Sequence, residues 1–316
     1  MLTLPLCVWL KRTIPGVELI YLGKNYTKPV VNCFSVIDEF VDWNRIEGLP
    51  TSQRIEALQE LNASAIIHVF PNKDIAMLAK RAKIPMRVGT SHRTYHLLTC
   101  SHRLNFTRKS SPLHESQLNF ELLRPFGLTE IPSLETVSEM VSAFEPVKVE
   151  LPKTIEKVLS TALKTVVLHP KSQGSAVEWP MQLYVELADK LAEKGYTVFF
   201  TGTETEGELY RKELPTNPSI IDLSGTMTLE QLIVFIGKVQ NLVACSTGPL
   251  HIAGFLGVRT IGLFSPRKPI HPGRWQALGR NVSILMNDPA CPTCMKKKAC
   301  ACIQFISVER VLAEIV

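Results

Sequence analysis

At 316 residues the chain is long enough for two ordinary domains, and its 45% apolar and 20% charged content excludes a disordered or fibrous polypeptide. No apolar run nears the roughly 18 uncharged residues of a membrane span, and the N-terminus lacks the basic-then-apolar layout of a secretory signal, so a cytoplasmic protein is expected. A formal charge of +6 suits an anionic partner or none at all, and Lys and Arg are scattered, with no dense basic run among aromatics to hold nucleic acid.

Residues 1–12 predict a helix that closes before Pro15-Gly16, Val17-Glu-Leu-Ile-Tyr-Leu22 a strand, and Gly23-Lys24-Asn25 a turn. A helix therefore precedes the first strand. Ala65-Ile-Ile-His-Val-Phe70 reads as a short buried strand, residues 73–83 as a helix and Met86-Arg-Val-Gly89 as a further strand, the alternation of a parallel sheet. His92, His96, His102 and His114 gather with Arg87, Arg93 and Arg103. Their spacings match no metal-ligand pattern, which leaves a solvated loop surface or a phosphate-binding surface helped by the arginines. Pro132, Pro146 and Pro152 then break any periodicity and put a boundary near residue 150, giving domains 1–150 and 151–316.

In the second half, Thr165-Val-Val-Leu168 is a buried strand running into His169-Pro-Lys-Ser-Gln-Gly-Ser175. Small polar residues just past a strand's C-terminal end suit a ligand, and Lys171 and Ser172 can offer an ammonium, a hydroxyl and backbone donors to a diphosphate. Residues 181–194 form an amphipathic helix stopped by Gly195, and the strand 196–201 ends in Gly202-Thr-Glu-Thr-Glu206. Glu206 can take both hydroxyls of a ribose; alternatively, Glu204 and Glu206 merely complement a helix dipole. Thr228 and Gln231 are spaced as a capping box for the helix 229–239.

The apolar run Leu242-Val-Ala-Cys245 then meets Ser246-Thr-Gly-Pro-Leu-His251. A capping hydroxyl at Thr247, a glycine for close approach at Gly248 and a proline for the first turn mark a strand-to-helix turn. Free N–H groups and the macrodipole there favour an anion, with His251 one turn in; an ordinary turn with a core histidine is the other reading. Cys7, Cys33, Cys100 and Cys245 are dispersed, as buried thiols of a reducing compartment would be. Cys291, Cys294, Cys300 and Cys302 form a C-x2-C-x5-C-x-C set. It suits a structural zinc whose charge Lys296, Lys297 and Lys298 would soften, or else free or partly paired thiols.

The motif at 246–251, continued through Gly257-Val-Arg-Thr-Ile-Gly-Leu-Phe264 and Ser265-Pro266 to His271-Pro-Gly-Arg-Trp275, resembles the heptosyltransferase-like family 9 of glycosyltransferases, which add sugars to lipopolysaccharide. Trp179-Pro180 is similar to the family's Trp-Pro pair, and His114-Glu115 to a His-Glu start seen in it. Two departures are visible: Val177 where relatives often carry Lys or Arg, and Ser246 where many carry Asp. The resemblance implies an α/β, GT-B fold of two Rossmann-like doubly wound domains facing a central cleft, acceptor in the first and donor in the second. It implies donor binding by Lys171, Ser172, Glu206, Met227 (against an adenine), Ser246, Thr247, Gly248 and His251.

The implied reaction is inverting and metal-independent, without a catalytic cofactor. A heptose-like sugar would pass from a nucleotide diphosphate sugar to a lipopolysaccharide core or related glycolipid or oligosaccharide. The enzyme would be a monomer in peripheral contact with the inner membrane. In that family a segment similar to Leu2-Thr-Leu-Pro-Leu6 follows a strand and a Gly-Asp loop bearing the catalytic base. Neither is present here, so the base is expected upstream of Met1. The alternative is a catalytically impaired or vestigial protein that binds a nucleotide sugar without turnover. A dinucleotide oxidoreductase is disfavoured, because no G-x-G-x-x-G follows a predicted strand.

Overall fold

The computed structural model describes residues 1–108, 111–296 and 300–316. The chain divides into the units Leu2–Met140 and Val141–Val316, the latter grouped with Met1. The division therefore precedes the expected boundary at residue 150. Residues 141–150 join the second unit because Phe144 sets its ring edge-on to Phe255, 5.6 Å between centroids, and the Glu150 carbonyl accepts from Gln231 Nε2 at 3.1 Å.

In the first unit the helix Leu4–Thr13 has a proline in its first turn and Lys11 and Arg12 in its last, both favourable ends. Strand β1 (Ile20–Gly23) pairs in parallel with β2 (Glu39–Asp42), while β3 (Ala65–Ile67), β4 (Met86–Thr90) and β5 (His102–Leu104) form a second parallel sheet. Residues 17–19 fall outside β1: Asp38 holds them instead, accepting from Leu19 N at 2.6 Å and from Lys11 Nζ at 2.8 Å. Both sheets back onto one apolar cluster, where Leu22, Val41 and Ile66 meet Trp43, Leu58, Leu78 and Ala79. The strand expected to reach Phe70 stops at Ile67, because Val69 N turns back to the Ile67 carbonyl, and Phe70 is 91% exposed.

The histidines and arginines between 87 and 114 do not share one solvated surface. His96 and His114 are buried, His92 and His102 exposed. Arg87 Nε donates to the Thr99 carbonyl at 2.6 Å and Arg103 to that of Cys100 at 2.9 Å, so both arginines brace backbone. His114 caps the helix Glu115–Phe120 through Nδ1, which accepts from Ser116 N.

The second unit has one six-stranded parallel sheet of β6 (Thr165–His169), β7 (Thr197–Phe200), β8 (Ile220–Asp222), β9 (Asn241–Cys245), β10 (Arg259–Leu263) and β11 (Val282–Leu285), in the order β11-β10-β9-β6-β7-β8. β6 and β9 are buried at every residue, as the unbroken apolar runs require of strands covered on both faces. The chain leaves central β6 for β7 and β8 on one side, then returns to β9, β10 and β11 on the other. That reversal opens a crevice between the C-terminal ends of β6 and β9, the position at which doubly wound sheets bind ligands. The helix Met181–Glu193 starts after Pro180 and ends before Gly195, whose φ of 80° suits only glycine without strain. Trp179 is buried before it, its Nε1 donating to the Ile306 carbonyl at 3.0 Å. Among the described residues no helix is long and apolar enough to cross a membrane.

Candidate functional site

Two loops meet at the crevice, the one after β6 and the turn after β9: Ser175 Oγ donates to the Ser172 carbonyl of its own loop at 2.8 Å and lies 3.4 Å from the Ser246 carbonyl of the other. The helix Gly248–Phe255 starts here with Thr247 as its extended N-cap (φ −129°, ψ 169°). The expected capping bond is not made: the Thr247 hydroxyl is buried and has no hydrogen-bond partner among the described residues. The first N–H groups of a helix lack intrahelical acceptors, and Pro249 removes one of them, leaving those of Gly248 and Leu250 at the positive end of the dipole. Gly248 is exposed, and a Cβ built on it meets nothing within 4 Å, so the space before the helix is open. His251 is buried one turn in, its N–H directed to the Thr247 carbonyl at 3.4 Å.

Lys171 and Ser172 are both held by a residue that sequence reasoning passed over. The Glu178 carboxylate accepts from Lys171 Nζ at 3.2 Å, and from Ser172 N and Oγ, each at 2.9 Å. The loop can fold back this way because Gln173 and Gly174 take left-handed conformations, φ 49° and 79°. The Lys171 ammonium therefore carries a carboxylate partner, and Glu178 braces the loop as a unit. The one sequence signal was a lone acid placed directly before Trp179-Pro180.

Glu206 is not the solvated first-turn acid of the simpler expectation. It is only 7% exposed and closes a capping box: its Oε2 accepts from Thr203 N at 2.7 Å and Oγ1 at 3.0 Å, while Thr203 Oγ1 accepts from Glu206 N. Its other oxygen, Oε1, makes no hydrogen bond among the described residues. The carboxylate opens onto a cavity of about 570 Å³ lined by Lys171, Gln173, Gly174, Glu178, Thr203 and Glu206 among others, within the usual range for small-molecule sites. Ser246, Thr247, Gly248 and His251, just past the end of β9, are not among the residues that line this cavity. Met227 sits half-buried on the turn between β8 and the helix Leu229–Ile236, and no hydrogen bond or shared cavity among the described residues joins it to the others.

His169 is the last residue of β6 and is buried. Its Nδ1 lies 3.0 Å from Thr201 Oγ1, linking the ends of β6 and β7, and burial pushes its pKa down to about 4. Burial pushes His68 in the first unit down to about 4 as well. Above the ordinary value of 6.5, both folded and unfolded states keep these rings neutral. As pH falls from there towards 4, only the unfolded chain takes up the protons, so stability falls by at most ~1.4 kcal/mol per pH unit for each histidine. Unfolding at pH 5 should accordingly take up about one proton fewer in His169→Asn than in the native chain. Equal pH slopes of denaturant stability in the two proteins would show that His169 is not held neutral.

The model of "Glycosyltransferase family 9 (heptosyltransferase)" matches residues 54–303. A provisionally named glycosyltransferase of Haemophilus influenzae is 23% identical over 98% of this chain and 90% of its own length. Lipooligosaccharide heptosyltransferase 2 of Campylobacter jejuni is 26% identical over 50% of this chain and 52% of its own. In fold, the chain is similar to the ADP-heptose lipopolysaccharide heptosyltransferase II of Escherichia coli, with a TM-score of 0.75 and 16% identity over 99% of this chain and 92% of that one. With the family model spanning most of both units, the chain belongs to glycosyltransferase family 9, the heptosyltransferase family, and is a glycosyltransferase.

Proposed function

We propose that the second unit binds a nucleotide diphosphate heptose, with its diphosphate at the start of the helix Gly248–Phe255, and that the first unit binds a lipopolysaccharide-core or related glycolipid acceptor. The observation that carries this reading is the open helix start over Gly248 at the β6/β9 switch point, beside a cavity that presents Glu206. In this reading Glu206 Oε1 takes the ribose hydroxyls and Met227 flanks the base. The Gly248 and Leu250 N–H groups, with Lys171 shared between Glu178 and the phosphate, stabilise the leaving diphosphate. Donors already fixed where the charge develops supply what a metal ion would otherwise supply, so the transfer is metal-independent. An acceptor hydroxyl attacks the anomeric carbon as the carbon–diphosphate bond breaks on the opposite face, which inverts the configuration; a carboxylate base takes the hydroxyl proton and the nucleotide diphosphate leaves. Ser172 acts through the loop: its hydroxyl and N–H hold Glu178 and, through it, Lys171.

Adenine is the base proposed, by analogy with the ADP-heptose named for the Escherichia coli relative. The work belongs at the cytoplasmic face of the inner membrane, where such acceptors are built. Calorimetry should find ADP bound more tightly than UDP, and Glu206→Gln weakening ADP about tenfold, near the ~1.4 kcal/mol of one charge-assisted hydrogen bond. Heptose transfer from ADP-heptose should persist in EDTA with an inverted product anomer. A chain that binds neither nucleotide would remove the donor site from this unit.

A further inference from the structure

The segment between β11 and the helix Val308–Leu312 carries four cysteines that the donor site does not use. Although Cys291 and Cys302 are eleven positions apart, the four sulfurs of Cys291, Cys294, Cys300 and Cys302 all lie within 4.8 Å of one another. They form the one group of three or more metal-ligating side chains that converges in this way among the described residues. The shortest separations are 3.5 Å, Cys291 to Cys300, and 3.3 Å, Cys294 to Cys302. Three of the four residues are buried, and together they form a small cluster of their own, separate from the apolar cores.

The distances discriminate among the chemistries open to four thiols. A disulfide requires about 2.05 Å between sulfurs, far shorter than either pair. Four sulfurs about 2.3 Å from one tetrahedral ion sit about 3.8 Å apart, within the observed spread. A multi-iron cluster would put the sulfurs on different irons and hold them farther apart than one ion does. Local structure serves the same geometry. Pro292 opens the one-turn helix Pro292–Met295, which brings Cys291 and Cys294 to one side, and Cys302 starts the 3₁₀ turn Cys302–Phe305.

A fifth residue points at the sulfurs. Ser265, just past β10, is 3% exposed, with Oγ 3.4 Å from Cys294 Sγ and 4.0 Å from Cys302 Sγ. That oxygen already accepts from Arg267 N at 3.3 Å, so its single proton is free to donate to a thiolate. Hydrogen bonds of this kind orient ligands and offset thiolate charge. Lys296 follows Met295 on the same turn, whereas Lys297 and Lys298 lie outside the described residues.

We infer that Cys291, Cys294, Cys300 and Cys302 bind one zinc ion as four thiolates, with Ser265 donating to Cys294. The ion is structural: it pins the segment after β11 to the end of β10. The same segment supplies Ile303 and Ile306 to the core around Trp179.

The test is metal analysis of the full chain purified from zinc-supplemented cells, together with cobalt substitution of the unaltered protein. One zinc per chain is expected, and the cobalt form should show the strong thiolate charge-transfer and ligand-field absorption of a tetrahedral four-sulfur site, which needs no variant that folds poorly. Cys294→Ser should lose the metal. Ser265→Ala should keep it but release it to a chelator about tenfold faster. Eight freely titrating thiols without metal, four thiols withdrawn into two disulfides, or iron with cluster absorption would each overturn the assignment.

Discussion

Gly254→Ala is expected to destabilise the chain by about 3 kcal/mol, the upper end of the usual overpacking range. Gly254 lies near the end of the helix Gly248–Phe255, whose residues from Leu250 onward are all buried. A Cβ on it would overlap the Leu278 carbonyl oxygen and come to 3.1 Å from Ala277 Cβ. The obstacle is backbone and cannot rotate aside. A Cβ on Gly279 (φ 142°) would in turn overlap the Gly254 carbonyl oxygen, so the two glycines mark a close backbone crossing that admits a side chain on neither. The helix sits between this crossing and the sheet, and its start is the proposed phosphate site. Urea unfolding of Gly254→Ala should show a lower midpoint with an unchanged slope, and the surviving folded protein should bind ADP more weakly because the helix has shifted. A stability change under about 1 kcal/mol would mean that the segment 277–279 yields, and that this contact does not fix the helix.

The second unit was the more legible in sequence. Its central strands are unbroken apolar runs, and its helices carry explicit ends, such as Pro180 and Gly195 around Met181–Glu193 and the capping box in which Thr228 N donates to Gln231 Oε1 at 3.0 Å. Both candidate loops were expected just past the C-terminal ends of apolar strands, and they follow β6 and β9, neighbours in the sheet. In contrast, β2, β5 and β11 are three or four residues long and only partly buried, too short for a period to register. Glu178 was missed because its role exists only once the loop after β6 folds back through left-handed Gln173 and Gly174. The Thr247 hydroxyl shows the opposite failure: the residue type suited a cap, but the side chain does not bond the helix it begins. For the cysteines, spacing identified the set but not the convergence, which depends on the turn at Pro292 and on Ser265 arriving from another strand.

Gly248→Ala, six residues before Gly254 on the same helix, should behave oppositely. Its Cβ meets nothing within 4 Å, and alanine is the better residue in a helical first turn, so stability should hold or rise by up to ~1 kcal/mol. The methyl group would instead stand in the open space before the Gly248 and Leu250 N–H groups, where the diphosphate is proposed to lie. ADP affinity should fall about tenfold for Gly248→Ala and more than about a hundredfold for Gly248→Leu, or ~2.7 kcal/mol, as measured by calorimetry on folded protein. The two glycines thus separate two roles of one helix. Gly254 permits the packing that places the helix, and Gly248 keeps its entrance clear. If both Gly248 variants bound ADP as the unaltered chain does, the phosphate would have to sit elsewhere, and the cavity at Glu206 would become the place to look for it. If the leucine variant alone lost binding, the diphosphate would lie farther from the backbone than direct N–H contact allows, and the dipole rather than hydrogen bonds would be what attracts it.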